Sequence, residues 1–251
     1  MFPVTAMSRK LHPLPSMPLI AEPPDWNGGG WPRATPEELG KSVLGNSINL
    51  YHAHPAHLLV LGGVHGDESE GIFLAHLLMR EGAVPVIPCL NPDGALLRQR
   101  WNARNVDLNR NLPTPDWSPE ASNPRYPPGS EPGSEPETRA FLSALKRVGA
   151  TIVLSLHSYK ETFLESERGP EAMPQEINAA VARFSEAVGV ERRQSVGYPT
   201  PGALGSFGRA RGLLVLTYEL RRGSSHGELE TILPDLFKLA RALDAQPFRE
   251  K

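Results

Sequence analysis

Leu58 to Glu68 reads LLVLGGVHGDE, an unbroken apolar run followed by two glycines, a histidine and a pair of acids. The run has no polar alternation, so as a strand it must be covered on both faces, the pattern of a mostly parallel sheet. Three further runs share this texture: Val84 to Leu90 (VPVIPCL), Thr151 to Leu156 (TIVLSL) and Leu213 to Leu220 (LLVLTYEL). Helical patterns lie between and after them at Ser69 to Arg80, Pro136 to Val148, Gln175 to Val188 and Leu229 to Leu243, with Pro234 expected to kink the last or start a turn in it. Strands alternating with helices predict an α/β fold with a mixed, mostly parallel central sheet and helices on both faces.

Composition narrows the chemistry. The 251 residues suit one large α/β domain or two small ones. Lys and Arg total 26 against 28 Asp and Glu, a net charge of −2, so no global basic excess draws the chain to nucleic acid or anionic lipid. Cys89 is the single cysteine, which excludes an internal disulfide and a cysteine-built metal site and leaves metal chemistry to His, Asp and Glu. No run reaches the roughly 20 apolar residues of a membrane span, and prolines break the first 20 residues before a signal-like run forms, so a soluble cytoplasmic protein is expected. Of 26 prolines, eight fall within residues 1 to 36 and eight between Pro113 and Pro136, which marks two loop-like segments around an ordered core. The second segment, from Leu112 to Glu135, is expected to border the cleft.

Each apolar run leads into polar residues: His65-Gly66-Asp67-Glu68, Asn91-Pro92-Asp93-Gly94, His157-Ser158-Tyr159 and Glu219. In open α/β sheets the ligand crevice lies beyond the carboxyl ends of the strands, where these residues gather if the runs are neighbours. Taken alone, His65-x-x-Glu68 is weak, since somewhat less than one such pair is expected by chance in this composition. Gly62, Gly63 and Gly66 strengthen it by allowing the sharp turn that aims both side chains at one point. An imidazole and a carboxylate then supply two metal ligands, and His157 is the best candidate for a third, the alternative being a hydrogen-bonded core histidine. Three protein ligands leave an open coordination place, the arrangement of a catalytic rather than a structural zinc. Glu219, ending an apolar run, suits the proton-transferring base such hydrolysis needs; a salt bridge to Arg221 or Arg222 is the alternative. Arg98, Arg100, Arg104 and Arg110 cluster around one acid, Asp107. The neutral overall balance disfavours a nucleic-acid patch, whereas Asn109 and Arg110 together could clamp a carboxylate while another arginine faces an oxyanion.

Together with Val106-Asp107-Leu108-Asn109-Arg110-Asn111 and Tyr218-Glu219-Leu220, these motifs occur in the order seen in the zinc metallocarboxypeptidase family, which the chain resembles from about Leu58 to Arg222. Gly133-Ser134-Glu135-Pro136-Glu137-Thr138 and Ser195-Val196-Gly197-Tyr198-x-Thr200-Pro201-Gly202 resemble its bacterial murein peptide amidase A branch. The resemblance implies one zinc ion per chain held by His65, Glu68 and His157, with Glu219 as general base and acid. It implies that Asn109 and Arg110 bind the substrate's terminal carboxylate, that Tyr198 closes over substrate, and that Arg100 supports the oxyanion, with Arg98 and Arg104 as neighbouring alternatives. It further implies cytoplasmic cleavage of γ-D-glutamyl-meso-diaminopimelate in murein tripeptide during cell-wall peptide recycling. With the proline clustering, the expected organisation is a proline-rich segment 1–36 followed by a zinc peptidase domain 37–251. A small peptide is the implied partner, with no nucleic acid and no membrane. Rival readings are a carboxypeptidase of ordinary peptides, an N-acyl amino acid hydrolase, and a zinc-binding cell-wall peptide recognition module without turnover. Asn111 and the Tyr198 loop favour the peptidase over the N-acyl hydrolase.

Two features depart from that branch: Asn105 stands where it has glycine, and His157-Ser158-Tyr159 is closer to the digestive carboxypeptidases. His52, His54 and His57 in YHAHPAH offer a second metal site only weakly, and a turn or preceding strand is the expected reading. Cys89 is expected to be an inert buried thiol, and neither His76 nor His226, the latter placed in a Gly/Ser-rich turn, is given a role.

Overall fold

The computed structural model describes residues 36–51, 55–121, 123–195 and 197–249. The four apolar runs become β3 (Leu58–Gly62), β4 (Val86–Ile87), β5 (Ile152–Tyr159) and β8 (Leu214–Arg221). They lie side by side in the order β4-β3-β5-β8, each pair parallel. Residues between Val84 and Leu90 pair only at Val86 and Ile87, because Pro85 and Pro88 lack the N–H a longer ladder needs. Four less apolar strands complete the eight-stranded sheet. β1 (Pro36–Lys41) and β2 (Ser47–Tyr51) form an antiparallel hairpin added at β4, and β6 (Phe163–Glu165) pairs antiparallel with β8 and parallel with β7 (Glu191–Arg193). Pro36, assigned by the sequence to the N-terminal segment, opens β1; residues 1 to 35 lie outside those described.

Helices α3 (Pro136–Val148) and α4 (Gln175–Val188) fall where their apolar periodicity puts them, each closed by a left-handed glycine, Gly149 and Gly189. α1 (Ser69–Glu81) follows the His65 turn, α2 (Pro92–Leu97) opens on the Asn91 cap, and α5 (Leu204–Arg211) precedes β8. α6 (His226–Asp244) starts three residues before Leu229, because Ser225 and Glu228 form a reciprocal capping box. His226 is thus helical rather than in a turn, and it stacks on Phe73 at 4.0 Å. α6 also runs through Pro234 without ending there.

Strand parity divides the core. Leu58 and Val60 of β3, Ile152, Leu154 and Leu156 of β5, and Leu214, Leu216, Tyr218 and Leu220 of β8 pack against α1, α4 and α6. Leu59, Leu61, Val153 and Val215 face α3 and α5. On that second face the apolar layer ends towards the strands' carboxyl ends, where Ser155 and His157 of β5 and Thr217 and Glu219 of β8 take over at the same parity. The sheet thus delivers polar side chains to one rim.

The turn carrying His65 is fixed by close backbone packing. Gly63 has φ +62°, and a Cβ on Gly66 would lie 2.0 Å from the Gly94 carbonyl carbon at the start of α2. Gly66→Ala is therefore expected to lower unfolding free energy by about 1–3 kcal/mol in urea titration; an unchanged midpoint would contradict this packing account.

Candidate metal centre and active site

His65 leaves the β3 turn, Glu68 is the residue preceding α1, and His157 stands near the end of β5, so three separate backbone paths meet at one point. All three are buried. One ligand atom from each lies within 4.8 Å of the others. His65 Nδ1 is 2.9 Å from Glu68 Oε1, His157 Nδ1 is 2.9 Å from Glu68 Oε2, and the two Nδ1 atoms are 3.1 Å apart. Asp107 Oδ1 sits 3.2 Å from His65 Nε2. A carboxylate there can only accept, so Nε2 carries the donated proton and the neutral ring turns the lone pair of Nδ1 toward Glu68, itself an acceptor. Lone pairs facing one another at this spacing call for a proton or a cation between them, and the imidazole, imidazole and carboxylate set with an outer carboxylate on one ring fits a divalent metal.

The local electrostatics agree. Burial alone would raise the Glu68 carboxyl, yet the two imidazoles hold it well below its ordinary range. Burial and the Arg100 charge oppose protonation of His65, but the Glu68 and Asp107 carboxylates outweigh them and its pKa is raised. Asp107 is also lowered despite its burial, with Arg100 the largest opposing influence. The sequence reading gave Asp107 no role beyond offsetting nearby arginines; its tie to His65 spans 42 residues and is invisible to spacing.

Glu219 pairs in register with His157 on the neighbouring strand. Among the described residues it has no hydrogen bond or ion pair, and Arg222, the alternative salt-bridge partner, instead reaches Asp67 Oδ2 at 3.0 Å. Burial pushes Glu219 up to about 7; Glu68 and Glu165 add to the shift, while His157 and Arg100 oppose it.

Of the three candidate arginines, Arg100 alone reaches the cluster. Its Nε donates to Asp107 Oδ2 at 2.9 Å and its Nη1 is 3.7 Å from Glu68 Oε1. Arg98 is the left-handed cap of α2, and Arg104 is exposed beside Glu135. Asn109 commits its side-chain oxygen to the Leu204 N–H at the start of α5, at 2.8 Å. Arg110 is buried, and its Nε lacks a hydrogen-bond partner among the described residues. Tyr126, from the proline-rich segment, lies under both guanidinium groups, 4.8 Å from Arg110 and 5.1 Å from Arg100, and stacks with Tyr198 at 6.4 Å and 7°. The segment therefore borders the site, through a residue the sequence did not single out.

Several motif residues build rather than face the site. Asn111 donates to Pro128 O, Glu131 O and Ser134 Oγ and accepts from Glu135 N and Thr138 Oγ1, tying the proline-rich segment to α3. Asp93 binds Ser42, Leu44 and Asn46 of the β1–β2 turn. Asn105 has φ +60°, a left-handed position that asparagine tolerates in place of glycine. Cys89 has its thiol pushed up to about 12 by burial. His52 and His54 lie outside the described residues.

The zinc carboxypeptidase family model matches residues 33–169. Murein peptide amidase A of Escherichia coli is 32% identical over 85% of this chain and 92% of its own length. The chain belongs to the zinc carboxypeptidase family. It is, with that family, a hydrolase. Murein peptide amidase A of Vibrio campbellii is 28% identical over 74% of this chain and 79% of its own. The crystal structure of murein-tripeptide amidase from Escherichia coli O157 superposes with a TM-score of 0.72 at 29% identity, covering 88% of this chain and 96% of that one. Bovine thrombin-activatable fibrinolysis inhibitor shares the fold, with a TM-score of 0.65 at 15% identity over 84% of this chain and 88% of that one. Among the described residues no helix is long and apolar enough to cross a membrane.

Asp107→Asn is expected to weaken metal affinity about 10- to 100-fold in competition titrations with a chelator, and unaltered affinity would remove Asp107 from the outer shell. In the metal-free protein Glu219 holds its proton more tightly folded than unfolded, so its contribution to stability falls as pH rises from its ordinary 4.5 through about 7. Metal-free Glu219→Gln should therefore exceed wild type by about 1–3 kcal/mol at pH 8 and match it near pH 4 in thermal melts. Equal stability at pH 8 would show that Glu219 carries no such penalty.

Proposed function

We propose that this chain is a zinc-dependent peptidase or amidase hydrolysing the bond to a residue with a free carboxylate. In this reading the substrate is the γ-D-glutamyl-meso-diaminopimelate bond of murein tripeptide, met in the cytoplasm during cell-wall peptide recycling, and residues 37–251 carry the activity. The observation carrying the reading is the juxtaposition of the His65, Glu68 and His157 cluster with Glu219 and with Arg110, whose carboxyl and Nε respectively lack hydrogen-bond partners among the described residues. The names of the relatives, murein peptide amidase A and murein-tripeptide amidase, support the substrate class.

Bound by His65, Glu68 and His157, one zinc ion would supply Lewis-acid polarisation of a carbonyl and acidify a water. Glu219 takes the proton of the attacking water and returns it to the leaving amine; a carboxyl pushed up towards neutrality can both accept and give that proton. Arg100 supplies donors to the negative charge developing on the carbonyl oxygen. With its oxygen committed to Leu204, Asn109 has its amide N–H groups left for a ligand, and beside Arg110 they receive the terminal carboxylate. Tyr198 covers the bound residue and excludes water.

Zinc-loaded protein incubated with L-Ala-γ-D-Glu-meso-diaminopimelate, beside ordinary peptides ending in Lys or Phe, is expected to release diaminopimelate, identified by mass, and to cut the ordinary peptides far more slowly. Glu219→Gln should retain zinc while turnover falls by at least about 100-fold. Release of Lys or Phe with an intact tripeptide would overturn the substrate assignment, and full turnover by the variant would remove Glu219 from proton transfer.

A further inference from the structure

The metal cluster has two flanks. Asn109, Arg110, Tyr126 and Tyr198 lie on the side of α5 and the proline-rich segment, where the proposed function places the leaving residue. The other side, toward α1 and the end of β8, is formed by Asp67, Glu70 and Arg222. It carries several acids, and Arg222 is the guanidinium that reaches the cluster from this side, whereas Arg100 approaches the same Glu68 oxygen while bound to Asp107.

Arg222 follows the last residue of β8, three positions after Glu219. Its backbone is pinned: Arg222 N–H donates to Tyr159 O at 2.7 Å, and the next residue, Gly223, donates to Glu70 Oε1 at 2.6 Å. The side chain is 43% exposed and crosses back to the site, with Nη1 on Asp67 Oδ2 at 3.0 Å and Nη2 3.7 Å from Glu68 Oε1. Asp67 thus takes one of the five N–H donors of the fork, and Nη2 stands at the rim of the metal cluster beyond hydrogen-bonding reach of Glu68. A purely structural surface ion pair has no need to direct its free edge at a metal-ligating carboxylate.

We propose that Arg222 reads a carboxylate on the acyl side of the scissile bond and so selects γ-linked glutamyl substrates over ordinary peptides; this rests on the function proposed above. In a γ-D-glutamyl linkage the free α-carboxylate lies about 5 Å along the chain from the scissile carbonyl. An ordinary α-peptide has no charge fixed at that place. With the terminal carboxylate on Asn109 and Arg110 and the carbonyl at the ligand cluster, the acyl part runs onto the opposite flank, where Arg222 is. Without Arg222, the acids Asp67, Glu70 and Glu219 would repel that carboxylate. Arg222 acts as a specificity-determining residue, outside proton transfer.

The test compares the tripeptide with an analogue whose D-glutamate α-carboxylate is a carboxamide. Zinc-loaded wild type is expected to favour the carboxylate form by about 10- to 100-fold in kcat/KM, expressed mainly in KM. Arg222→Gln should handle the two peptides alike at the level of the carboxamide analogue, and Arg222→Lys should recover part of the preference. In the zinc-loaded Glu219→Gln background, calorimetric Kd values should show the same preference and the same loss when Arg222→Gln is added. If wild type cleaves the tripeptide but treats both peptides equally, or if Arg222→Gln keeps the full preference, the Arg222 assignment is overturned while the proposed function stands. If wild type cleaves neither peptide, the proposed function fails and the assignment falls with it.

Discussion

Two imidazole nitrogens and two carboxylate oxygens crowded to about 3 Å of each other form an arrangement that water-free protein does not sustain without positive charge at its centre. The fold accepts this cost because His65 and Glu68 are held from behind and the strand carrying His157 is packed against α1. Asp107 fixes the ring of His65, the Ser158 N–H donates to Glu68 Oε2, and α1 sits so close to β5 that a Cβ on Gly71 would lie 2.4 Å from Leu156 O. The rigidity is bought before any ion arrives, so a metal meets ligands already assembled rather than a chain it must fold.

From that constraint the remaining architecture follows. Parallel strands covered on both faces bring their carboxyl ends to one rim, and strand parity decides which side chains emerge on the α3/α5 face. There His157 and Glu219 stand in register on adjacent strands, close enough for the charge of one to influence the other. Loops supply the rest: Arg100 and Asp107 come from the connection after α2, and Tyr126 comes from the proline-rich segment. The scaffold residues of that segment converge on Asn111, whose amide satisfies five partners and leaves nothing for a ligand.

What the sequence made legible was what local pattern encodes. The central strands came from their apolar runs, and α3 and α4 from their apolar periodicity. The family resemblance and the rim of polar residues named His65, Glu68 and His157, three side chains that the structure brings together and that could hold a metal ion. Edge strands such as β6 and β7 escaped because they are three residues long and partly polar, so their pairing is decided by tertiary contacts rather than propensity. Asp107, Tyr126 and Arg222 were hidden for a related reason: each earns its place through a contact across many residues, 155 of them between Arg222 and Asp67. The choice among Arg98, Arg100 and Arg104 likewise depends on where a short turn points its side chains, which the left-handed backbone of Arg98 sets.

The most direct measurement is anomalous X-ray diffraction at the zinc edge from crystals of the protein grown with one equivalent of zinc. The account predicts a single strong peak bonded to Nδ1 of His65, Nδ1 of His157 and the Glu68 carboxylate at about 2.0–2.2 Å. A peak elsewhere, or none with the three side chains unmoved, would contradict it.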